Sequence, residues 1–421
     1  MTVDLLAHQV QSVEAIRQSF PALARRHAGQ PVAYFDGPGG TQVPRPVIDA
    51  MADYLAHHNA NTHWAFPTSE ETDAIILAAR GSLADFLNAD PDEVAFGANM
   101  TTLTFHLARA LGRRWGAGDE VVVTELDHHA NVAPWQAVAK ERGVTLKVVP
   151  FRTDSGELDW EAMGRAIGPK TRLLAIGAAS NALGTITDVV RARELARGVG
   201  ALVFVDAVHF APHRLVDVRA LGCDFLACST YKFYGPHLGV LYGRRDRIRA
   251  LDLPKLEPAP ETVPERLETG TLNHEGIAGA GAAVDWLASL ADGGGWTRRE
   301  RLARLYAALH EREEALFGRL WDGLGTIKGV TRYGPPPTRP RTGTVSISLA
   351  GAPAHQAAVA LAAEGLYASS GDFYATTVVE RLGFAREGLL RIGLSIYSTA
   401  SEVERVLAGV ERIAAGGRVG G

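Results

Sequence analysis

Short apolar runs alternate with helically periodic stretches through the middle of the chain. Val94–Phe96, Glu120–Thr124, Arg172–Ile176, Ala201–Val205, Phe225–Ala227 and Gly239–Tyr242 read as strands. Pro134–Arg142 and Asp188–Val199, lying between them, read as helices. This alternation predicts βαβ units and a largely parallel sheet, an α/β architecture. In open sheets of that kind ligands bind beyond the carboxyl ends of the strands. The residues just after each run are therefore where chemistry is expected.

The pattern changes at Ala291–Gly295, which reads Ala-Asp-Gly-Gly-Gly. A long amphipathic helix is expected over roughly Arg298–Leu324, followed by a proline-rich loop over Pro335–Pro340. Strands are expected over Gly343–Leu349 and Leu389–Ile396, and a last helix from Ser401, with Glu404 completing a capping box. These elements predict a smaller α+β domain. The expected division is 20–290 for the large domain, with 1–19 and 291–421 forming the small one. The tail Gly416–Gly421 is expected to fray.

Composition narrows the function class. The chain has 421 residues, 46% of them hydrophobic, enough for two domains and a sizeable core. Its net charge of -4 is spread without long runs of one sign, which argues against nucleic acid or an anionic membrane and for a small-molecule partner. Two cysteines, Cys223 and Cys228, supply neither a disulfide framework nor a CxxC metal site, and no metal is expected. There is no apolar stretch of about 18 residues that could span a membrane. Met1–Arg17 carries Asp4 and Glu14 and does not read as a signal peptide, so a cytoplasmic location is expected.

The residues after the strands carry the chemistry. Asp127-His128-His129-Ala130-Asn131, Ser180-Asn181, Asp206 with His209, and Ser229-Thr230-Tyr231-Lys232 each follow a run. Together they supply what pyridoxal phosphate needs. Lys232 provides an amine for a Schiff base with the aldehyde. Asp206 is a carboxylate able to hold the ring nitrogen protonated, which strengthens the ring as an electron sink. Once freed, the same lysine can move a proton at the substrate Cα. Gly97–Thr102 opens a helix after a strand, a good place for a phosphate. The Gly37–Thr41 turn is expected to pass close to the substrate.

These strings resemble the class V aminotransferase family of fold-type I pyridoxal-phosphate enzymes, and most of all its cysteine desulfurase and selenocysteine lyase branch. The resemblance rests on His128-His129-Ala130-Asn131 with Pro134-Trp135-Gln136, Ser180-Asn181 with Leu183-Gly184-Thr185, Val205-Asp206, Lys232 with Tyr234-Gly235-Pro236, Gly270-Thr271 with Asn273, and Arg391. It implies a large domain with a mostly parallel seven-stranded sheet and a smaller α+β domain. Position by position, it implies that Lys232 binds the cofactor covalently, Asp206 pairs with the ring nitrogen and His128 stacks on the ring, with His129 as the alternative. Asn181 and His209 would contact the ring oxygen or the substrate. Thr101, the Met100 backbone and Ser229 would hold the phosphate. Thr271 would reach the phosphate of a neighbouring subunit, implying a homodimer with shared active sites. Arg391 would bind the substrate carboxylate, and His63 and Tyr374 would line the substrate site.

One departure bears on the reaction. Desulfurases of this branch carry a nucleophilic cysteine on a small-domain loop. The matching segment here is Ser369–Tyr374, with Tyr374 at the cysteine position. Tyrosine cannot form a persulfide. The expected activity is therefore a lyase reaction at the β-carbon of an amino acid, of the C–S type and without persulfide. An aminotransferase or epimerase is the alternative. A desulfurase proper and a non-catalytic cofactor-binding protein are the remaining readings.

Overall fold

The computed structural model describes residues 10–291 and 293–416. The reading of residues 1–9 as no leader, their place in the small domain, and the fraying of the tail beyond Gly416 concern residues outside that range.

The large sheet has seven strands: β1 (Val94–Gly97), β2 (Glu120–Thr124), β3 (Thr145–Val149), β4 (Thr171–Gly177), β5 (Leu202–Asp206), β6 (Phe225–Ser229) and β7 (Gly239–Gly243). Their spatial order is β1-β7-β6-β5-β4-β2-β3. Pairing is parallel except at β7, which runs antiparallel to both neighbours. Successive residues of one strand enter opposite cores. Val121 and Val123 pack in one core and Val122 in the other, and Leu173 and Leu174 divide the same way. Both faces are thus covered, which is why these strands read as unbroken apolar runs.

β3 was not legible in the sequence. It is an edge strand with Lys147 at its centre, ion-paired to Glu120 at 2.7 Å, and much of it faces solvent. Only Val149 of its five residues is buried, so its apolar signal is weak.

A second, antiparallel sheet comprises β8 (Val330–Tyr333), β9 (Thr344–Leu349), β10 (Ser369–Gly371) and β11 (Leu389–Gly393), in the order β8-β9-β11-β10. The helix Arg298–Thr326 joins the two layers. Its first half sends Leu302, Leu305 and Tyr306 into the core of the large layer, and its second half sends Phe317, Leu320 and Leu324 into the core of the small one. Ala33 and Phe35 also enter the small core, and Ala33–Tyr34 pairs in parallel with Leu366–Tyr367. The turn that follows, Asp36–Gly40, is thereby held between the layers.

Two sequence expectations shift. The strand expected to run to Ile396 ends at Gly393, where the chain turns through Ser395–Ser398 on a backbone bond of 2.9 Å. The last helix is Ala400–Ala414, and its capping box is Thr399 with Glu402, not Ser401 with Glu404. Both pairs have the spacing. Glu402 also binds Arg17 at 3.0 Å, whereas Glu404 reaches Arg319 on the exposed side. Among the described residues no helix is long and apolar enough to cross a membrane.

Candidate active site

The carboxyl ends of β2, β4, β5 and β6 open onto one cavity of about 940 Å³. The start of the helix Met100–Gly112, the Pro38–Gly39 turn, and Phe373, Tyr374 and Arg391 of the small layer complete its wall. The parallel sheet explains the convergence, because its strand ends share one edge.

Lys232 closes a single 3-10 turn after β6. Its Nζ donates to the carbonyls of Pro38 at 2.6 Å and Gly39 at 2.8 Å. Burial, reinforced by the Arg391 charge, pulls its pKa down to about 7, against the opposing pull of Asp206 and Asp36. Asp206 is the last residue of β5 and accepts from the Val208 N–H at 2.9 Å. Burial pushes its carboxyl up to about 6.

Asp127 lines the same cavity as Asp206 and has no role assigned from sequence. It is buried, accepts from Thr124 Oγ1 at 2.8 Å, and is pushed up to about 7 chiefly by burial, with the charge of Asp206 adding to the effect. Gly177 makes room for it, since a Cβ there would lie 2.4 Å from Asp127 Oδ1. The available signal was an acid at a strand end directly before two histidines.

Of those histidines, His128 is the half-buried ring and His129 is exposed. His128 Nδ1 accepts from the Ala130 N–H at 3.0 Å, which leaves the proton of the neutral ring on Nε2. Burial, helped by Lys232 and Arg391, holds His128 down at about 4. The His129 N–H donates to the Tyr374 carbonyl at 2.7 Å. Tyr374 lies at the cavity mouth, 72% exposed, with its ring 5.5 Å from that of His128 and tilted by 31°.

Asn181 Nδ2 donates to the Phe373 carbonyl at 2.8 Å, and the Asn181 carbonyl accepts from Arg391 Nη1 at 3.0 Å. Arg391 lies buried on β11 beneath the Phe373 ring, 4.1 Å from its centroid, and burial lowers its pKa to about 9. His209 is bonded through Nε2 to Thr342 Oγ1 at 3.0 Å, and burial pushes its pKa well below the usual value.

At the other end, Asn99 caps the helix by accepting from the Thr102 N–H at 2.9 Å. The Met100 N–H, expected to serve a phosphate, donates to Ser229 Oγ at 3.0 Å. That bond fills an acceptor site on Ser229 and leaves its O–H as the group to offer. Gly239 permits this approach, because a Cβ there would meet the Asn99 backbone at 2.5 Å.

Two expected site residues do not line this cavity, one of them, Thr271, being expected to serve a neighbouring subunit. Thr271 is exposed and does not line the cavity of its own chain. Nor does His63, which is exposed and turned to Asp73 at 3.1 Å.

The donor set suits pyridoxal phosphate. Asn181 Oδ1, His209 Nδ1 and Arg391 Nε are buried without partners, and all three belong to residues lining the cavity. Buried polar atoms of that kind call for a polar ligand.

Comparison with known proteins agrees. The family model "Aminotransferase class-V" matches residues 33–406. A cysteine desulfurase of Pectobacterium carotovorum subsp. carotovorum (strain PC1) is 33% identical over 419 residues, covering 95% of this chain and 98% of that protein. One from Klebsiella pneumoniae (strain 342) is 34% identical over 418 residues, covering 96% and 98%. Among solved structures, the apo cysteine desulfurase from Thermococcus onnurineus NA1 superposes with a TM-score of 0.86 at 29% identity, covering 96% of this chain and 98% of that one. An S-sulfonic acid form of the Escherichia coli cysteine desulfurase CsdA gives a TM-score of 0.82 at 27% identity, with the same coverage.

Proposed function

The chain belongs to the class V aminotransferase family of pyridoxal-phosphate enzymes and resembles its cysteine desulfurases; from that premise we propose that it is a β-lyase cleaving the C–S bond of a cysteine-derived amino acid without forming a persulfide. The observation that carries the proposal is the lack of a reachable thiol. The chain has two cysteines. Cys223 is 1% exposed and Cys228 0%, and neither lines the cavity. Burial pushes the Cys223 thiol up to about 12 and that of Cys228 higher still, so neither supplies thiolate at neutral pH. Tyr374 holds the cavity mouth, where the resemblance expects the nucleophile.

The roles follow from chemistry and position. Asp206 holds the cofactor's ring nitrogen protonated, and neutral His128 stacks on the ring. The Ser229 hydroxyl and Thr101, at the helix N-terminus, bind the phosphate. Asn181 and His209 offer their unpartnered atoms to the ring oxygen or the substrate. Arg391 takes the substrate carboxylate on its two-pronged guanidinium. Bound there, the cofactor supplies an electron sink for the substrate Cα. Lys232 Nζ, near half-neutral at pH 7, accepts the Cα proton. The Cβ–S bond then breaks with its electron pair going to sulfur. In balance, an S-substituted cysteine and water give a thiol, pyruvate and ammonium. Thr271 and His63, exposed and outside the lining of their own cavity, serve a neighbouring subunit's site in a homodimer.

The test is incubation of the holoenzyme with S-substituted cysteines and with cysteine. Stoichiometric pyruvate, ammonium and thiol are expected from the former. Protein-bound persulfide formed from cysteine would refute the proposal, as would accumulation of the amine form of the cofactor with no pyruvate.

A further inference from the structure

The loop that closes the cavity from the small layer has an unusual backbone. Phe373 and Tyr374 are consecutive non-glycine residues in the left-handed region, at φ 59° and 55°. Such conformations persist only where the surroundings hold them. Here both carbonyls are tied to the large layer, that of Phe373 by Asn181 Nδ2 at 2.8 Å and that of Tyr374 by the His129 N–H at 2.7 Å. Asp372 secures the loop from within, accepting from the Tyr374 N–H at 3.0 Å and from Thr376 Oγ1 at 2.9 Å.

The effect is to aim two rings at the cavity. Phe373 lies on the guanidinium of Arg391, and Tyr374 lies beside His128. A substrate carboxylate held by Arg391 therefore sits next to Phe373. Its β-substituent, leaving toward the mouth, passes along an aromatic wall made by Phe373, Tyr374 and His128, with Phe105 and Val208 also lining the cavity. The Tyr374 backbone is held from both sides while the residue stays 72% exposed, so much of its ring at the mouth is uncovered by the described residues. A stacked aromatic group would cover that face.

Building on the β-lyase reading, we propose that the substrate is a cysteine S-conjugate whose sulfur carries an aromatic group, and that Tyr374 is the residue that selects it. Free cysteine and S-alkyl conjugates of one carbon reach too short a distance to use the wall. The bond changes are those already given, with the aromatic thiolate as the leaving group.

Binding and turnover are to be read separately on the holoenzyme. The binding probes are 3-(benzylthio)propanoate and 3-(methylthio)propanoate, which lack the amine and cannot react, followed by quenching of tryptophan fluorescence. The benzyl acid is expected to bind about tenfold more tightly, the order that one stacked ring and its buried area supply. In Tyr374→Asn, which tolerates the left-handed backbone, the preference should collapse to within about threefold. In Tyr374→Phe it should survive. Equal binding of the two acids overturns the proposal, as does a preference retained by Tyr374→Asn or lost in Tyr374→Phe. If the benzyl acid is preferred but neither S-benzyl- nor S-methylcysteine yields pyruvate, the β-lyase reading fails and the aromatic selection stands. If both conjugates yield pyruvate at equal kcat/KM and the acids bind equally, the lyase reading stands and the selection fails.

Discussion

Arg391→Leu bears most directly on the proposed reaction. In the unliganded protein the guanidinium is buried on β11, gives Nη1 to the Asn181 carbonyl at 3.0 Å, and leaves Nε without a partner. Asp36 carries the opposing charge, and Arg391 helps keep its partly buried carboxyl ionised. Removing one side of such an interaction leaves the other charge uncompensated, so the Tm of the variant is expected to fall. Substrate binding should weaken as well. Losing one partner of a desolvated, hydrogen-bonded charge pair costs about 2–5 kcal/mol, or about 30- to 3,000-fold in kcat/KM. A second effect follows from the site's electrostatics. After burial, the Arg391 charge is the next largest influence holding Lys232 down at about 7. Without it the lysine titrates higher, and capture of added pyridoxal phosphate by the apo protein should shift to higher pH. Steady-state pyruvate release, calorimetric melting and a pH series of reconstitution rates read the three effects separately. A kcat/KM within about threefold of the parent would refute the carboxylate role. An unmoved pH profile together with an unchanged kcat/KM would show that the residue acts only structurally. Arg391→Lys keeps the charge but loses the fork, and should fall between the two.

Other expectations concern the same cavity. Lys232→Ala should show no borohydride-sensitive imine band with added cofactor; persistence of that band would remove Lys232 from its role. Reconstitution of the parent apo protein should speed up as pH rises through about 7, where the Lys232 amine loses its proton, and then level off. Capture of the cofactor by the apo protein should also slow as pH falls through about 6, where Asp206 takes up a proton; stopped-flow absorbance at each pH measures both limbs. A chain with Cys223→Ser and Cys228→Ala should keep pyruvate release within about threefold of the parent, since buried cysteines of this kind act only as small apolar fillers; loss of turnover in a folded variant would restore a thiol to the mechanism.

Legibility followed burial. β2, β4, β5, β6 and β7 were visible because each is covered on both faces, so each keeps a central run of apolar residues. β3 and β10 were not, since an edge strand with Lys147 at its centre and a strand reading Ser-Ser-Gly carry little apolar pattern. The capping box was misplaced by two residues because the pattern occurs twice, and the ion pair between Arg17 and Glu402 is a contact between distant parts of the chain. At the site, polar residues after strands could be listed from sequence, since parallel strands must present their carboxyl ends together. Asp127 was in that list and received no role, because its raised pKa depends on burial and on Asp206.

The sequence by itself determined the layer architecture, the edge at which the chemistry gathers, the candidate lysine, carboxylate and arginine, and the placing of both cysteines in or just before a strand. These are properties of residue type and order. Only the tertiary structure decided that the Pro38–Gly39 carbonyls hold Lys232, that the Met100 N–H binds the Ser229 hydroxyl, and that Phe373 covers Arg391 while Tyr374 faces His128. Each joins segments far apart in the chain, from layers whose approach is set by packing. Hydrogen bonds and ring contacts act over a few ångströms, and no local pattern records which distant groups will come that close.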